Sequence, residues 1–396
     1  MGRTAKVQVL CLDPIAQVGL KRLPAERYTV VREADDPDVI LVRSHDMHAM
    51  KFGPRLKAVG RAGAGVNNIP VAALSLRGVP VFNAPGANAN AVKELVLAGM
   101  LIAARNLVPA LEFVRGLDRG APDLDRQVEA GKRAFVGTEL PGRTLGVIGL
   151  GRTGRLVADA GIRLGMHVLG FDPEITVEAA WSLPAQVRRA NSIAEVLKAA
   201  DYVTLHVPLA ERTRHLINAR NLAHARRGAV LLNFSRDGIV DARAVLDALA
   251  ARHLHCYVTD FPSAELLGRP GVVALPHLGA STREAEENCA VMVVDEVREY
   301  IEDGTICNAV NFPDAQMGRE SPWRLAIANT NVPNMLAQIS HVMGERRINI
   351  HNMLNKSKGE TAYTLVDVDS PVPEAALEAL KRIEGVLAVR YIPAPG

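Results

Sequence analysis

The chain has 396 residues, about half of them hydrophobic, with 46 basic against 43 acidic side chains and a formal net charge of +3. That length exceeds one ordinary core and predicts two or three domains, while the balanced charge, free of long single-sign blocks, excludes nucleic acid or a membrane surface as expected partners. The scattered cysteines Cys11, Cys256, Cys289 and Cys307 lack C-x-x-C spacing, so reduced thiols and no metal site are expected.

In chain order, MGRTAKVQVLCLD opens with an apolar stretch too short for a signal peptide and without a cleavage-type ending, which predicts a cytoplasmic protein. Strand-like runs follow at VQVLCLD, DVILVRS, KAVGRAG and VPVFNAP. A helical stretch covers about Asn90 to Asn106; its run ELVLAGMLIAARN is broken by charge well short of a membrane span. After a polar segment ending FVGTELPGRT comes a second strand series: TLGVIGLG, HVLGFD, YVTLHVPL, GAVLLNFSR, HCYVTDF and GVVALPH. Short β-rich runs alternating with helical patterns predict α/β architecture, here two doubly wound parallel-sheet domains. The helix Thr282–Asp303 is expected to return the chain to the first domain. From Arg324 the order becomes βαββαβ, a ferredoxin-like unit. The expected domains are therefore 1–88 and 282–314 for the first, 89–281 for the second and 322–396 for the third.

Ligands of open α/β sheets bind beyond the carboxyl ends of the strands. In the second series those ends are Gly149-Leu150-Gly151, Asp172, His206, Ser235-Arg236, Asp260 and His277, each small, polar or ionisable. Gly149, Gly151 and Gly154 follow a strand and open a helix, so the turn can bring backbone N–H groups to a pyrophosphate. Asp172 ends the next strand, at the position where a carboxylate grips a ribose 2′-hydroxyl. Pro173 and Glu174 come next instead of an arginine, which favours NAD over NADP. Arg236 offers a planar fork for a substrate carboxylate, and a Glu265–His277 pair suits proton transfer near neutrality. From spacing alone these three also read as a surface arginine, a loop glutamate and a strand-capping histidine.

The segments FVGTELPGRTLGVIGLGRTG, FSRDGIVD, TDFPSAEL and LPHLGASTREAEEN resemble the D-isomer-specific 2-hydroxyacid dehydrogenase family. VRSHD, VGRAGAGVNNIPV and FNAPGANANAVKELVLAGML resemble the branch acting on D-3-phosphoglycerate, and NTNVPNMLAQISHVMGERRINI resembles an ACT domain, an amino-acid-sensing module. The resemblance implies a flavodoxin-like substrate domain, a Rossmann NAD domain and an ACT domain. It implies an NAD-dependent oxidation that opens L-serine biosynthesis, in a homodimer or homotetramer. Arg236 would bind the substrate carboxylate, with His277 as acid/base and Glu265 its partner. Gly149, Gly151, Arg152, Thr153, Gly154, Asp172, Val207, Ser235, Asp260 and Gly279 would hold NAD. Arg43, Ser44 and Arg61 would face the substrate and its phosphate. Asn329, Asn331 and Asn349 would bind an L-serine effector.

Several positions depart from the family pattern: Asn67, Val207, Asp237, Leu266 after Glu265, and Asn334 in place of a glycine after the turn proline. Alternatives are a reductase of another 2-keto acid, such as glyoxylate or hydroxypyruvate, and a non-catalytic NADH-sensing regulator on the same fold.

Overall fold

The computed structural model describes residues 6–394. Its first sheet contains β1 (Val7–Cys11), β2 (Tyr28–Val31), β3 (Val39–Val42), β4 (Ala58–Arg61) and β5 (Val81–Asn83), all parallel in the order β2-β1-β3-β4-β5. Every side chain of β3 (VILV) is buried, the pattern of a central strand covered on both faces. The edge strand β2 (YTVV), not expected from the sequence, has two exposed residues and no apolar–polar alternation.

The second sheet contains β6 (Thr144–Ile148), β7 (His167–Phe171), β8 (Arg188–Arg189), β9 (Tyr202–Leu205), β10 (Ala229–Asn233), β11 (Leu254–Thr259) and β12 (Val272–Ala274). It is parallel throughout, in the order β12-β11-β10-β9-β6-β7-β8. The six expected strands all form; β8, with two exposed arginines, is an added edge. The helix Ala89–Ala104 packs so closely that a Cβ on Gly99 would stand 3.1 Å from Leu232 and Phe234. The polar segment after it is helical over Leu107–Arg115 and Leu124–Gly131, with no buried residue in either helix. Among the described residues no single helix is long and apolar enough to cross a membrane; the two consecutive helices that pass that test together are bent by 65°.

The third sheet contains β13 (Trp323–Thr330), β14 (Ile350–Lys358), β15 (Thr361–Val368) and β16 (Val386–Pro393), antiparallel in the order β14-β15-β13-β16. With the helices Met335–Glu345 and Glu374–Lys381 this is the expected ferredoxin-like unit. Leu325, Ile327, Val366 and Val368 face these helices and meet Ile339, Met343, Ala376 and Leu380.

The chain divides into two compact units: residues up to Asn88 together with Arg283 onward, and Ala89–Thr282. The C-terminal module, expected as a separate domain over 322–396, shares a core with the first sheet. Ala326, Ala328, Tyr363, Leu365 and Ile392, on the strand positions opposite the module's own helices, join Phe82, Val293, Val297 and Tyr300. Phe82 and Tyr300 rings stand 5.5 Å apart, Tyr300 and Tyr363 6.4 Å, and Arg390 lies 4.3 Å over Tyr300. Arg390 also donates to the carbonyls of Tyr300 and Ile301 at 2.9 and 2.8 Å, capping the last turn of the helix Arg283–Asp303. Beside this contact Arg324, fully buried, forks onto the equally buried Asp367 at 2.6 and 2.9 Å and reaches Asp303 at 3.0 Å.

Candidate active site

In the second unit the glycine turn joins β6 to the helix Arg152–Arg163. Gly149 has φ +93°, and a Cβ there would meet the His206 carbonyl oxygen at 2.5 Å. On Gly154 a Cβ would fall 1.9 Å from the Gly149 oxygen, so neither position tolerates a side chain. Gly151 is different: nothing lies within 4 Å of its Cβ direction, and no side chain caps the helix that begins after it. This leaves open space in front of a positive helix end, the arrangement that receives a phosphate. Arg152 is exposed and Thr153 half-buried at that end.

Asp172 follows β7 immediately. Its Oδ2 accepts from the Leu150 N–H at 2.8 Å and its Oδ1 from the Glu174 N–H at 3.0 Å, tying the acid to the glycine turn. After β9, Thr204 Oγ1 lies 3.0 Å from His206 Nε2, and burial pushes the His206 pKa down to about 4, so the ring is neutral at physiological pH. Val207 is half-buried and packs against the turn, its Cγ1 3.0 Å from the Gly149 Cβ direction.

The neighbouring strands β10, β11 and β12 deliver Ser235-Arg236, Asp260 and His277 to the same carboxyl edge. Ser235 Oγ donates to the Leu205 carbonyl at 2.5 Å, and half-buried Arg236 donates to the Ser235 carbonyl at 2.6 Å. Asp260 is fully buried; its Oδ2 accepts from the Gly279 N–H at 2.8 Å, while its Oδ1 has no partner. Burial raises the Asp260 pKa above the ordinary carboxylate range, against the opposing pull of the Gly279 N–H and the His277 charge. His277 is exposed, its ring 4.8 Å from that of Phe261.

An open anion-receiving helix end, a carboxylate after β7 and an orphaned buried oxygen after β11 are the features a dinucleotide requires. Residues 107–279 match the NAD binding domain of the D-isomer specific 2-hydroxyacid dehydrogenases. The D-3-phosphoglycerate dehydrogenase of Methanocaldococcus jannaschii is 33% identical over 81% of this chain and 63% of its own length. The enzyme of that name from Escherichia coli strain K12 is 28% identical over 98% of both chains. Over residues 107–279 the chain carries the NAD binding domain of the D-isomer specific 2-hydroxyacid dehydrogenases. The structure of NAD+-bound 3-phosphoglycerate dehydrogenase from Entamoeba histolytica is 25% identical, with a TM-score of 0.61 over 77% of this chain and 99% of that one. The chain spans less than two thirds of the Methanocaldococcus relative and nearly all of the Escherichia coli one.

Within this site, one expected contact is not made. No hydrogen bond or ion pair joins Glu265 to His277, and both side chains are exposed. The reason is local. Leu266 turns inward to 2% exposure and joins the core, its N–H bonded to the Ser263 carbonyl at 3.0 Å, which leaves Glu265 on the solvent side of the turn.

The first unit has its own polar edge. The backbone N–H groups of Arg43, Ser44 and His45 all donate to Asp13 Oδ2, at 2.7, 2.9 and 3.1 Å. Burial works to raise the Asp13 pKa, but the three donors outweigh it and leave it below the ordinary value. The Arg43 guanidinium pairs with Glu286 at 2.8 Å, and Arg61 Nε donates to Asn68 Oδ1 at 3.1 Å. Arg43 and Glu286 line a cavity of about 330 Å³ with Pro14, Gln17, Arg32 and Ala62, at the β1/β3 switch point of the first sheet. Asp13, Asn68 and Glu286 were not singled out in the sequence. Asp13 and Glu286 have partners far along the chain, Asn68 joins Arg61 to the His45 carbonyl, and no local pattern marks them.

The expected effector trio does not converge within one copy. Asn331 follows the end of β13 beside Thr361 and donates to the Gly359 carbonyl at 3.0 Å. Asn349 precedes Ile350, which pairs with Val368 opposite the start of β13, and donates to Asp369 at 2.5 Å. The length of β13 separates them, roughly 24 Å at about 3.4 Å per residue. Asn329 is 1% exposed, its amide donating to the Thr330 carbonyl at 2.7 Å. Asn334 has φ +67°, which explains why glycine is usual there and why asparagine is a tolerated replacement.

Proposed function

We propose that this chain oxidises D-3-phosphoglycerate to 3-phosphohydroxypyruvate with NAD, the first step of L-serine biosynthesis. The observation that carries the reading is Asp260 Oδ1, a buried, unpartnered acceptor at the edge that also bears the open glycine turn and His277. When bound, NAD supplies the acceptor for the hydride leaving the substrate C2. Gly151, Arg152, Thr153 and Gly154 receive the pyrophosphate, flanked by Val207, and Asp172 the ribose hydroxyls. Asp260, braced by the Gly279 N–H, takes an N–H of the nicotinamide end beside Ser235. His277 accepts the substrate hydroxyl proton, with Glu265 as its partner in the loaded enzyme, where catalytic contacts tighten relative to the free protein. Arg236 binds the carboxylate and polarises the developing carbonyl. In the other unit, Arg43, Ser44 and Arg61 provide the cationic and hydroxyl groups that a phosphate requires.

The relatives named D-3-phosphoglycerate dehydrogenase support the choice of substrate. A cytoplasmic homo-oligomer with feedback by L-serine completes the proposal. The separation of Asn331 from Asn349 means that a serine site using both needs a second copy. The deciding assay is NADH formation at alkaline pH from D-3-phosphoglycerate against unphosphorylated D-2-hydroxy acids. Preference for the unphosphorylated acids makes it a reductase of another 2-keto acid, and no turnover with any of them leaves an NADH-sensing role.

A further inference from the structure

The sequence places Asp172, Pro173 and Glu174 after β7, with no arginine to meet a ribose 2′-phosphate. The fold brings one from elsewhere. In the second sheet β7 and β9 lie on either side of β6, so the loops that follow them flank the glycine turn. The loop after β9 forms a short turn, Glu211–Thr213, fixed by Thr213 Oγ1, which donates to the Pro208 carbonyl at 2.6 Å and accepts from the Ala210 N–H at 2.7 Å. From that turn the Arg212 guanidinium engages Glu174 through both of its terminal nitrogens, Nη1 on Oε1 and Nη2 on Oε2. Glu174 in turn is bound through its N–H to Asp172, and Asp172 to the Leu150 N–H of the glycine turn. A continuous series of contacts therefore runs from the glycine turn, through the ribose-binding carboxylate, to Arg212.

An acid at the end of the second Rossmann strand holds a ribose 2′-hydroxyl, whereas an arginine near that position accommodates a 2′-phosphate. This chain has both. Its arginine is committed in a bidentate fork, the geometry in which guanidinium also binds phosphate. We infer that Glu174 determines cofactor specificity by occupying Arg212, which would otherwise serve the 2′-phosphate of NADP. The inference rests on the NAD reading of this cleft. Glu174 acts through the guanidinium alone: it neutralises it and occupies both of its terminal nitrogens. Both partners are more than half exposed, so solvent screens the pair and the effect is moderate.

The test measures dissociation constants of NADH and NADPH on the full chain by nucleotide fluorescence, at low and high salt. The proteins are the wild type, Glu174→Gln, Arg212→Ala and the double variant. Glu174→Gln is expected to lower the NADPH:NADH ratio of dissociation constants by about three- to tenfold at low salt, mainly through tighter NADPH binding. The gain should vanish at high salt, and it should also vanish when Arg212→Ala is added. An unmoved ratio in Glu174→Gln, or a gain that survives loss of Arg212, overturns the assignment while leaving the NAD reading intact. A wild-type chain that binds neither nucleotide overturns both.

Discussion

Asp260→Asn should weaken the cofactor and, at the same time, stabilise the cofactor-free protein at neutral pH. Asp260 is 0% exposed, and only one of its oxygens is satisfied, by the Gly279 N–H at 2.8 Å. Leaving part of a buried polar group unpaired costs about 1–3 kcal/mol, and more when it is charged. The amide has the same shape, keeps an acceptor for Gly279 and carries no charge, so about 1 kcal/mol should return, or about 2–4 °C in Tm for a unit of this size. The pH dependence has a definite sign. Burial raises the folded pKa of Asp260 above the ordinary value of 3.8, so its contribution to stability is fully present below that value and is lost as pH rises through the raised one. Asp260→Asn should therefore match the wild type in acid and pull ahead once the carboxyl ionises. On the cofactor side, a hydrogen bond to a charged acceptor is worth about 1.5–3 kcal/mol, which corresponds to roughly 10- to 150-fold in NADH affinity. Nucleotide fluorescence titration and thermal unfolding across pH measure the two effects. NADH affinity within about threefold of wild type, together with an unchanged Tm at neutral pH, would refute the reasoning.

His277→Ala should reduce turnover by ~10²-fold or more with little change in NADH affinity, read by steady-state kinetics beside fluorescence titration. Arg324→Met leaves Asp367 buried without its bidentate partner and should cost about 3–5 kcal/mol, whereas Arg324→Met with Asp367→Leu should recover most of it. Urea unfolding followed through the neighbouring Trp323 checks this, and equal destabilisation of the single and double variants would count against it. Asn331→Ala and Asn349→Ala should each abolish inhibition by L-serine while leaving uninhibited turnover nearly intact; calorimetry that finds no serine binding to the wild type at millimolar concentration would leave the third sheet without an effector role.

What was legible in the sequence was set by short-range chemistry. Of the six strands of the second sheet that read as apolar runs, the inner ones do so because their central residues are buried on both faces, as β10 (AVLLN) shows in every residue, while the edge strand β12 (VVA) is half-buried. The edge strands β2 and β8 escaped because half-exposed or arginine-rich runs carry no such signature. The helices Leu107–Arg115 and Leu124–Gly131 read as a polar segment because neither buries a face against the core. The C-terminal module was legible as a unit, but not its union with the first sheet. Ala326, Ala328 and Tyr363 alternate as any two-faced strand does, and alternation does not name the surface that covers the second face.

The candidate site divides along the same line. Gly149 and Gly154 announce themselves because backbone crowding within a few residues demands glycine, and Asp172 because one β-α-β unit separates it from them. Partners contributed by distant loops leave no such trace. Glu265 has the composition of a histidine partner, yet its direction is decided by Leu266, whose burial turns the carboxylate outward. Arg212 shows the converse. In sequence it is one arginine of an exposed ERT turn, 38 positions from Glu174, and only the strand order β9-β6-β7 sets the two loops around the glycine turn. The absence of an arginine directly after Asp172 is therefore not sufficient to exclude the 2′-phosphate. In this chain the exclusion falls to Glu174, which holds an arginine that the topology has already delivered.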